Sequence, residues 1–281
     1  MHHMATRAPS VPVMIELADI STPREQAIVA RIGKIDHAVI DAAIEARFQA
    51  VPVLDSDDRC LGMIDVPHLA QLAAKGEVLT PEHADGGCVR LPHLVPVTSL
   101  VSALAESGVI LHTSDPHDES FPPDWFGIVS VADLNRPIFR AHVYQMMVIL
   151  ETSLGQLIMD EFGDDWGAIR LLSEGNQKRV REFWEEERDE GVDLSPITTV
   201  TLSDLFHIAA ESNRVWNLMG FAGPAESRTV AYQINDLRNV IMHPVRPLIV
   251  NRKDLMDLDA GLRAVESLTT VLLKRIGMVT G

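Results

Sequence analysis

The residues best suited to chemistry in this 281-residue chain are Arg238, Asn239 and His243, at the end of one predicted helix that Pro244 terminates. Arginine keeps its charge at physiological pH, whereas an imidazole titrates near neutrality. Asn239 and His243 share a helix face, but Arg238 and His243 are five residues apart and diverge on an uninterrupted helix. Pro244 changes this, because the residue before a proline is pushed away from helical dihedrals. Such a group can bind a phosphate and transfer a proton.

The charge state of His243 depends on two opposing effects. The C-terminal end of a helix carries partial negative charge, which stabilises a protonated imidazole, whereas the nearby cation of Arg238 destabilises it. We therefore expect His243 to titrate near neutral pH, as acid–base catalysis requires. Cations at a helix end also simply complement the helix dipole, so the bare pair has a structural interpretation too.

The composition is that of a globular protein, with 46% hydrophobic and 23% charged residues. The net charge of −16 argues against broad nucleic-acid binding, which needs a basic surface. Residues 1–136 contribute −10 of that charge and residues 137–281 contribute −6. The second half is therefore less acidic but not basic, and any polyanion must be met by a local cluster of cations.

Residue types and spacings argue against a disulfide framework, a metal site and a membrane-spanning segment. Cys60 and Cys88, the two cysteines, do not make a disulfide framework. No His/Cys/Asp cluster has the spacing of metal ligands, so we expect no metal site. The apolar runs are too short to span a bilayer, and no signal-peptide pattern opens the chain. We expect a cytoplasmic protein without membrane contact.

A helix–strand–strand–helix pattern occurs twice in the N-terminal half. Short apolar runs bounded by turn residues predict the strands, and helical periodicity predicts the helices. The first copy has a helix at 40–48, strands at 51–55 and 60–66, and a helix around Leu69, Leu72 and Ala73. The second has a helix at 99–107, strands at 109–113 and 126–131, and a following helix. Its hairpin loop, residues 114–124, is much longer.

From Pro137 onward the pattern is helical. Apolar residues from Ile138 to Ile158 recur at spacings of one, three and four, which predicts one face of a long helix. Further helices are predicted at 166–190 with a break at Gly175-Asn176, and at 201–220, 226–243 and 253–276. Long helices joined by short loops favour an up-down bundle. We expect a two-domain α+β chain, with an α/β domain at residues 1–136 and a helical domain at residues 137–281.

The strand segments of the repeat resemble the CBS (cystathionine-β-synthase) domain, most closely at residues 126–134. The resemblance covers roughly residues 20–136 as two repeats, the number that forms one compact pair in that family. In the family a hydroxyl and an acid after the glycine often contact the phosphate and ribose of an adenine nucleotide. Ser130 and Asp133 match those positions, which implies ATP, ADP or AMP as a regulatory ligand. The first copy departs from the pattern at Asp65 and His68, so we assign no nucleotide contact there. Asp133 also suits a simple capping role.

The Arg-Asn-x-x-x-His segment resembles the HEPN superfamily signature, and the resemblance covers residues 137–276, including Glu151 near the middle of the first long helix. Many members are metal-independent endoribonucleases that act as homodimers. The resemblance implies His243 as general acid/base for attack by a ribose 2′-hydroxyl. It implies Arg238 as the group that stabilises the phosphorane and Asn239 as the residue that orients the imidazole or phosphate. No cofactor is required for this hydrolase chemistry.

Two hypotheses follow from these resemblances. The first is a CBS pair that senses an adenine nucleotide, joined to a HEPN bundle that cleaves RNA as a homodimer. The alternative is a non-catalytic protein whose CBS pair senses the ligand and whose bundle serves dimerisation or partner binding. The acidic composition favours the alternative, because an enzyme that cuts RNA usually needs a positive field.

Overall fold

The computed structural model describes residues 12–85, 88–114, 125–192 and 194–277. Most of the predicted hairpin loop at 114–124 lies outside the described residues. The chain divides into two compact units. One comprises Met14–Arg140 with Ile249–Leu255, and the other comprises Ala141–Leu248, the described residues from Met256 onward, and Pro12 and Val13. The boundary that we place at residue 136 stays a proposal.

The first unit has mixed α/β structure. Its strands are β1 (Met14–Glu16), β2 (Thr22–Pro23), β3 (Ala30–Arg31), β4 (Gly33–Lys34), β5 (Ala50–Leu54), β6 (Cys60–Asp65), β7 (Val78–Leu79), β8 (Arg90–Leu91), β9 (Leu94–Pro96), β10 (Val109–Thr113) and β11 (Trp125–Ser130). Its helices are α1 (Leu17–Ile20), α2 (His37–Glu45), α3 (Val66–Lys75) and α4 (Val97–Ser107). Three 3-10 turns lie at Arg24–Gln26, Pro81–His83 and Val131–Asn135. The predicted strands of both copies are therefore present.

The two copies have the same strand arrangement. In the first, β5 pairs antiparallel with β6 and parallel with β3, and in the second, β10 pairs antiparallel with β11 and parallel with β8. Each hairpin has one register shift near the end of its first strand, between Val53 and Leu54 and between His112 and Thr113. The early strand β2 adds to the second copy by pairing with β11.

Apolar faces of both copies build the core of this unit. One cluster of buried apolar residues belongs to the first copy and includes Val51, Ile64 and Leu69. A second cluster joins the two hairpins, because Leu54 and Met63 of the first pack with residues of the second that include Trp125. The alternation along each strand places these side chains on the buried face.

The second unit is helical. Its helices are α5 (Pro137–Phe162), which begins in the first unit, α6 (Asp165–Ile169), α7 (Glu174–Asp189), α8 (Leu202–Glu211), α9 (Asn213–Leu218), α10 (Pro224–Met242) and α11 (Arg252–Arg275), which also begins in the first unit. A 3-10 turn occupies Pro196–Thr199. The apolar face predicted for α5 is buried along its length, from Phe139 to Ile158. No helix within the described ranges is long and apolar enough to cross a membrane.

The structure corrects three details of the predicted helices. The break in the second helical stretch comes before Gly175, because Ser173 accepts a hydrogen bond from the Asn176 N–H and starts α7 there. The third stretch is interrupted at Ser212, whose side chain caps α9. The helix predicted directly after β11 is a five-residue 3-10 turn, and α5 begins only at Pro137.

Candidate functional site

The helix that holds the Arg-Asn-x-x-x-His segment has one buried stripe and one exposed face. Ala231, Ile234, Leu237 and Ile241 are buried at spacings of three and four along α10. Arg238 lies beside this stripe and is half-buried, so its stem is supported by the core while part of the side chain meets solvent.

His243 ends α10 with φ −106° and ψ 77°, outside the helical region. The backbone departure that Pro244 predicts is therefore confirmed. His243 and Asn239 are exposed. Within the described part of the chain, neither side chain has a hydrogen bond or an ion pair, so both can meet a ligand. Among the described residues, no hydrogen bond joins the side chains of Arg238 and His243.

Glu151 on α5 is the residue that the structure brings to Arg238. The Glu151 side chain is half-buried. Burial raises the pKa of the Glu151 carboxyl, and the Arg238 guanidinium and a hydrogen bond from the Leu202 backbone N–H oppose that shift. The three groups belong to three different helices, α5, α8 and α10. The positive charge of Arg238 is thus partly offset by a neighbour far away in sequence.

A capping box fixes the start of α8 and so places the Leu202 N–H. Thr201 Oγ1 donates to Asp204 Oδ2 over 2.6 Å, and the Asp204 N–H donates back to Thr201 Oγ1 over 3.3 Å. Asp204 is 6% exposed and also accepts hydrogen bonds from Asn176 (2.9 Å) and Arg179 of α7. Leu202 is the first residue of the helix, where backbone N–H groups lack an intrahelical partner. Its N–H is therefore available to Glu151.

Ser130 and Asp133 come together at the end of β11. Asp133 Oδ2 accepts hydrogen bonds from the Ser130 N–H and from Ser130 Oγ, each over 2.8 Å. Asp133 Oδ1 lies 2.8 Å from the guanidinium of Arg136. The Asp133 side chain is 10% exposed and that of Arg136 is 41% exposed. The capping role considered for Asp133 is present, and the predicted nucleotide contact stays a prediction.

Arg136 is a candidate ligand-binding residue that the sequence interpretation missed. It adds a solvent-facing cation to the pair, and it also donates to the Ser21 carbonyl oxygen over 3.4 Å. The signal was available, since Asp133 and Arg136 are three residues apart and such a spacing brings side chains together in a helical turn.

Gly127 permits the close approach of β2 to this site. A Cβ atom at Gly127 would lie 2.4 Å from the Thr22 carbonyl oxygen and 3.3 Å from Ser21 Oγ. Gly127 pairs with Pro23 across the two strands. The segment from Ser21 to Pro23 is therefore held against β11, and the Ser21 carbonyl oxygen accepts the hydrogen bond from Arg136.

In the first copy, Asp65 and His68 line an open groove of about 630 Å³ at the start of α3. Asp65 is exposed and its side chain makes no cap hydrogen bond to α3. The His68 ring meets His83 edge to face at 5.9 Å. Among the described residues, no group of three or more His, Cys, Asp or Glu side chains is placed to hold a metal ion.

Comparison with known proteins gives structural neighbours but no sequence family. Neither a protein-family model nor a curated protein matches the sequence. Solved structures similar to this chain include CBS-domain proteins. A CBS-domain protein of unknown function from Bacillus anthracis is 14% identical, with a TM-score of 0.35, over 43% of this chain and 89% of its own.

Two further neighbours were solved with ligands. CBSX2, in complex with AMP, is 12% identical with a TM-score of 0.36 over 45% of this chain and 97% of its own. CbpB, in complex with c-di-AMP, is 15% identical with a TM-score of 0.35 over 47% of this chain and 89% of its own. These similarities lie in the N-terminal part of the chain. The HEPN resemblance of the helical part stays a prediction.

Proposed function

We propose that the α/β unit is a regulatory module that binds an adenine nucleotide at Ser130, Asp133 and Arg136. The observation that carries this proposal is the placement of a hydroxyl, a carboxylate and a half-exposed guanidinium within seven consecutive residues at the end of β11. A carboxylate is a suitable acceptor for ribose hydroxyls, and a guanidinium binds phosphate oxygens with two parallel hydrogen bonds. The nucleotide replaces the contact between Arg136 and Asp133 when it binds.

Calorimetry with ATP, ADP and AMP tests this proposal. We expect Arg136→Gln to lose most of the affinity, because the neutral amide removes the phosphate contact while the capping hydrogen bonds of Asp133 remain. Arg263→Gln is the matched control, since Arg263 also pairs with a largely buried carboxylate, that of Asp259, at 3.0 Å in α11. Equal affinity of wild type and Arg136→Gln for all three nucleotides would remove the site.

We further propose that the helical unit cleaves RNA without a metal. The favouring observation is that Arg238 is held half-buried beside the core while His243 is exposed and released from the helix by Pro244. In this mechanism His243 removes the proton from a ribose 2′-hydroxyl and later protonates the leaving oxygen. Arg238 stabilises the negative charge of the phosphorane, and Asn239 orients the imidazole or the phosphate. The product carries a 2′,3′-cyclic phosphate.

The proposed active form is a homodimer in which two copies of the α10 end contribute to one site. Light scattering measures the mass directly. RNA digestion in the presence of a chelator measures the activity. We expect His243→Ala to abolish cleavage and His37→Ala, at an exposed histidine of α2, to leave it unchanged. Cleavage that persists in His243→Ala would show that a contaminating nuclease is responsible.

A non-catalytic helical unit is the second candidate. It is favoured by the net charge of −16 and by Glu151, which competes with RNA phosphate for Arg238. Under this alternative the unit binds a partner or a second copy, and the nucleotide affinity of the first unit is unaffected by His243→Ala. The absence of chelator-resistant cleavage by homogeneous wild-type protein, at any nucleotide concentration, would favour this candidate.

A further inference from the structure

Two histidines of the α/β unit are stacked on each other in a partly enclosed position. The rings of His93 and His112 are 5.4 Å apart with an interplanar angle of 25°, and His93 Nδ1 lies 3.2 Å from His112 Nε2. His112 is 2% exposed, and its other neighbour is the ring of Phe126 at 5.3 Å. Glu16 Oε2 lies 3.7 Å from His93 Nε2, on the solvent side.

The positions of the protons follow from the neighbours of each nitrogen. One proton must lie between the two rings, since a hydrogen bond joins them. The buried Nδ1 of His112 has no hydrogen-bond partner among the described residues, so a proton there would be a buried donor without an acceptor. His93 Nε2 faces a carboxylate, which favours a proton on that nitrogen. Neutral His112 therefore donates from Nε2 to Nδ1 of His93.

This arrangement opposes further protonation. A proton added to His93 Nδ1 would place two N–H groups against each other across 3.2 Å. A proton added to His112 Nδ1 would find no acceptor among the residues that the structure describes. Burial, and secondly the proximity of His93, lower the pKa of His112. Glu16 on β1 is the charged group that faces the pair, and it favours a cation only at the outer nitrogen of His93. On β8 the charged side chain is Arg90, which lies close enough to the Cys88 thiol to oppose the rise that burial causes in the thiol pKa.

We propose that the His93–His112 pair is a pH-sensitive clasp, which holds β1 onto β9 near neutral pH and opens when the pair is protonated in mild acid. Backbone hydrogen bonds connect His93 to the end of β1. The His93 carbonyl oxygen accepts a hydrogen bond from the Leu17 N–H over 2.8 Å, and Glu16 pairs with Leu94 at the end of the β1–β9 ladder. When the two rings separate, His93 moves, and these contacts loosen with it.

The sign of the effect follows from linkage. A histidine whose folded-state pKa is lowered binds fewer protons folded than unfolded in the window below its ordinary value, so stability falls as the pH falls. The clasp is closed above about pH 6.5, the ordinary pKa of histidine, and opens progressively below it.

Hydrogen exchange followed by mass spectrometry tests the clasp in the full chain. We expect the protection of backbone amides at residues 14–17 and 93–96, corrected for intrinsic exchange rates, to fall by up to about tenfold between about pH 7.5 and pH 5.5. The substitution His112→Phe should remove this pH dependence, because phenylalanine fits between His93 and Phe126 but does not titrate. His68→Phe is the matched control, since His68 is an exposed histidine that also contacts a second histidine ring, that of His83, and this variant should respond as the wild type does.

Two results overturn the clasp. The first is hydrogen exchange in the wild type that changes with pH only as the intrinsic exchange rate does. The second is the same fall in amide protection between about pH 7.5 and pH 5.5 in His112→Phe as in the wild type. If that variant does not fold, NMR titration of the wild-type imidazoles decides instead. The clasp requires that one imidazole ring titrates with a pKa below the ordinary value for histidine, and that chemical shifts of β1 and β9 change over the same pH range. Two rings that titrate independently at the ordinary value overturn it.

Discussion

Replacing Asp133 with alanine tests whether the end of β11 depends on the carboxylate that also belongs to the proposed nucleotide site. The substitution removes two hydrogen bonds from Ser130, each of 2.8 Å, and the contact with Arg136. The lost hydrogen bond from Ser130 Oγ costs about 1 kcal/mol. The Ser130 N–H, left without its acceptor in a partly buried position, costs roughly 1–3 kcal/mol more. The Arg136 contact adds less than about 1 kcal/mol, because that side chain is 41% exposed.

The expected loss for Asp133→Ala is therefore about 2–4 kcal/mol of unfolding free energy. With a urea dependence of roughly 2 kcal/mol/M, the unfolding midpoint falls by about 1–2 M. Urea unfolding with pulsed hydrogen exchange, read on peptides of β10 and β11, reports this unit separately from the helical one. Arg136→Gln should shift the same midpoint by less than about 0.5 M, since it leaves the cap intact. A shift in Asp133→Ala as small as that of Arg136→Gln would refute the structural role of the carboxylate.

Three further predictions concern other parts of the chain. Gly127→Ala should destabilise the α/β unit, because its Cβ atom would lie 2.4 Å from the Thr22 carbonyl oxygen. Gly155→Ala in α5 should instead stabilise the helical unit by up to about 1 kcal/mol, because a Cβ atom there would have no neighbour within 4 Å. Thermal unfolding that ranks the two variants in the reverse order would contradict this packing. For Glu151, the raised pKa means that the folded state holds a proton above the ordinary value, so stability is lost as pH rises through that window. Glu151→Gln should therefore gain more stability at about pH 7.5 than at about pH 4.5 in urea titrations, and an equal change at both values would contradict the assignment. Burial raises the pKa of the Cys60 thiol to about 11, so alkylation by iodoacetamide near pH 8 should be far slower in the folded protein than in urea, and equal rates would show that the thiol is accessible.

Much of the secondary structure could be predicted because its causes lie within a few residues. Strand β10 falls at the predicted residues 109–113, and its hairpin partner begins within one residue of the predicted position. Where the interpretation was wrong, a short-range polar contact decided the outcome. Ser173 starts α7 by capping the Asn176 N–H, so Gly175 lies inside the helix although its residue type predicts a break.

The two candidate sites also differ in whether neighbouring residues or distant ones form them. Ser130, Asp133 and Arg136 lie within seven consecutive residues, and a turn brings them together without help from the rest of the chain. Glu151 could be noticed in the sequence, but its approach to Arg238 requires that α5 and α10 pack in one particular register. Spacing along one helix carries no information on that register, because the two residues are 87 positions apart in the chain.

The sequence by itself determined the local conformations: the two hairpins of the repeat, the long apolar face of α5, and the departure of His243 from the helix before Pro244. Each follows from steric and hydrogen-bonding preferences of neighbouring residues, which act in any tertiary context. Only the tertiary structure decided which charges meet. The proximity of Glu151 to Arg238 and the stacking of His93 on His112 depend on burial and on distances between separate elements. Electrostatic interactions change steeply with both, because burial lowers the effective dielectric constant around each group.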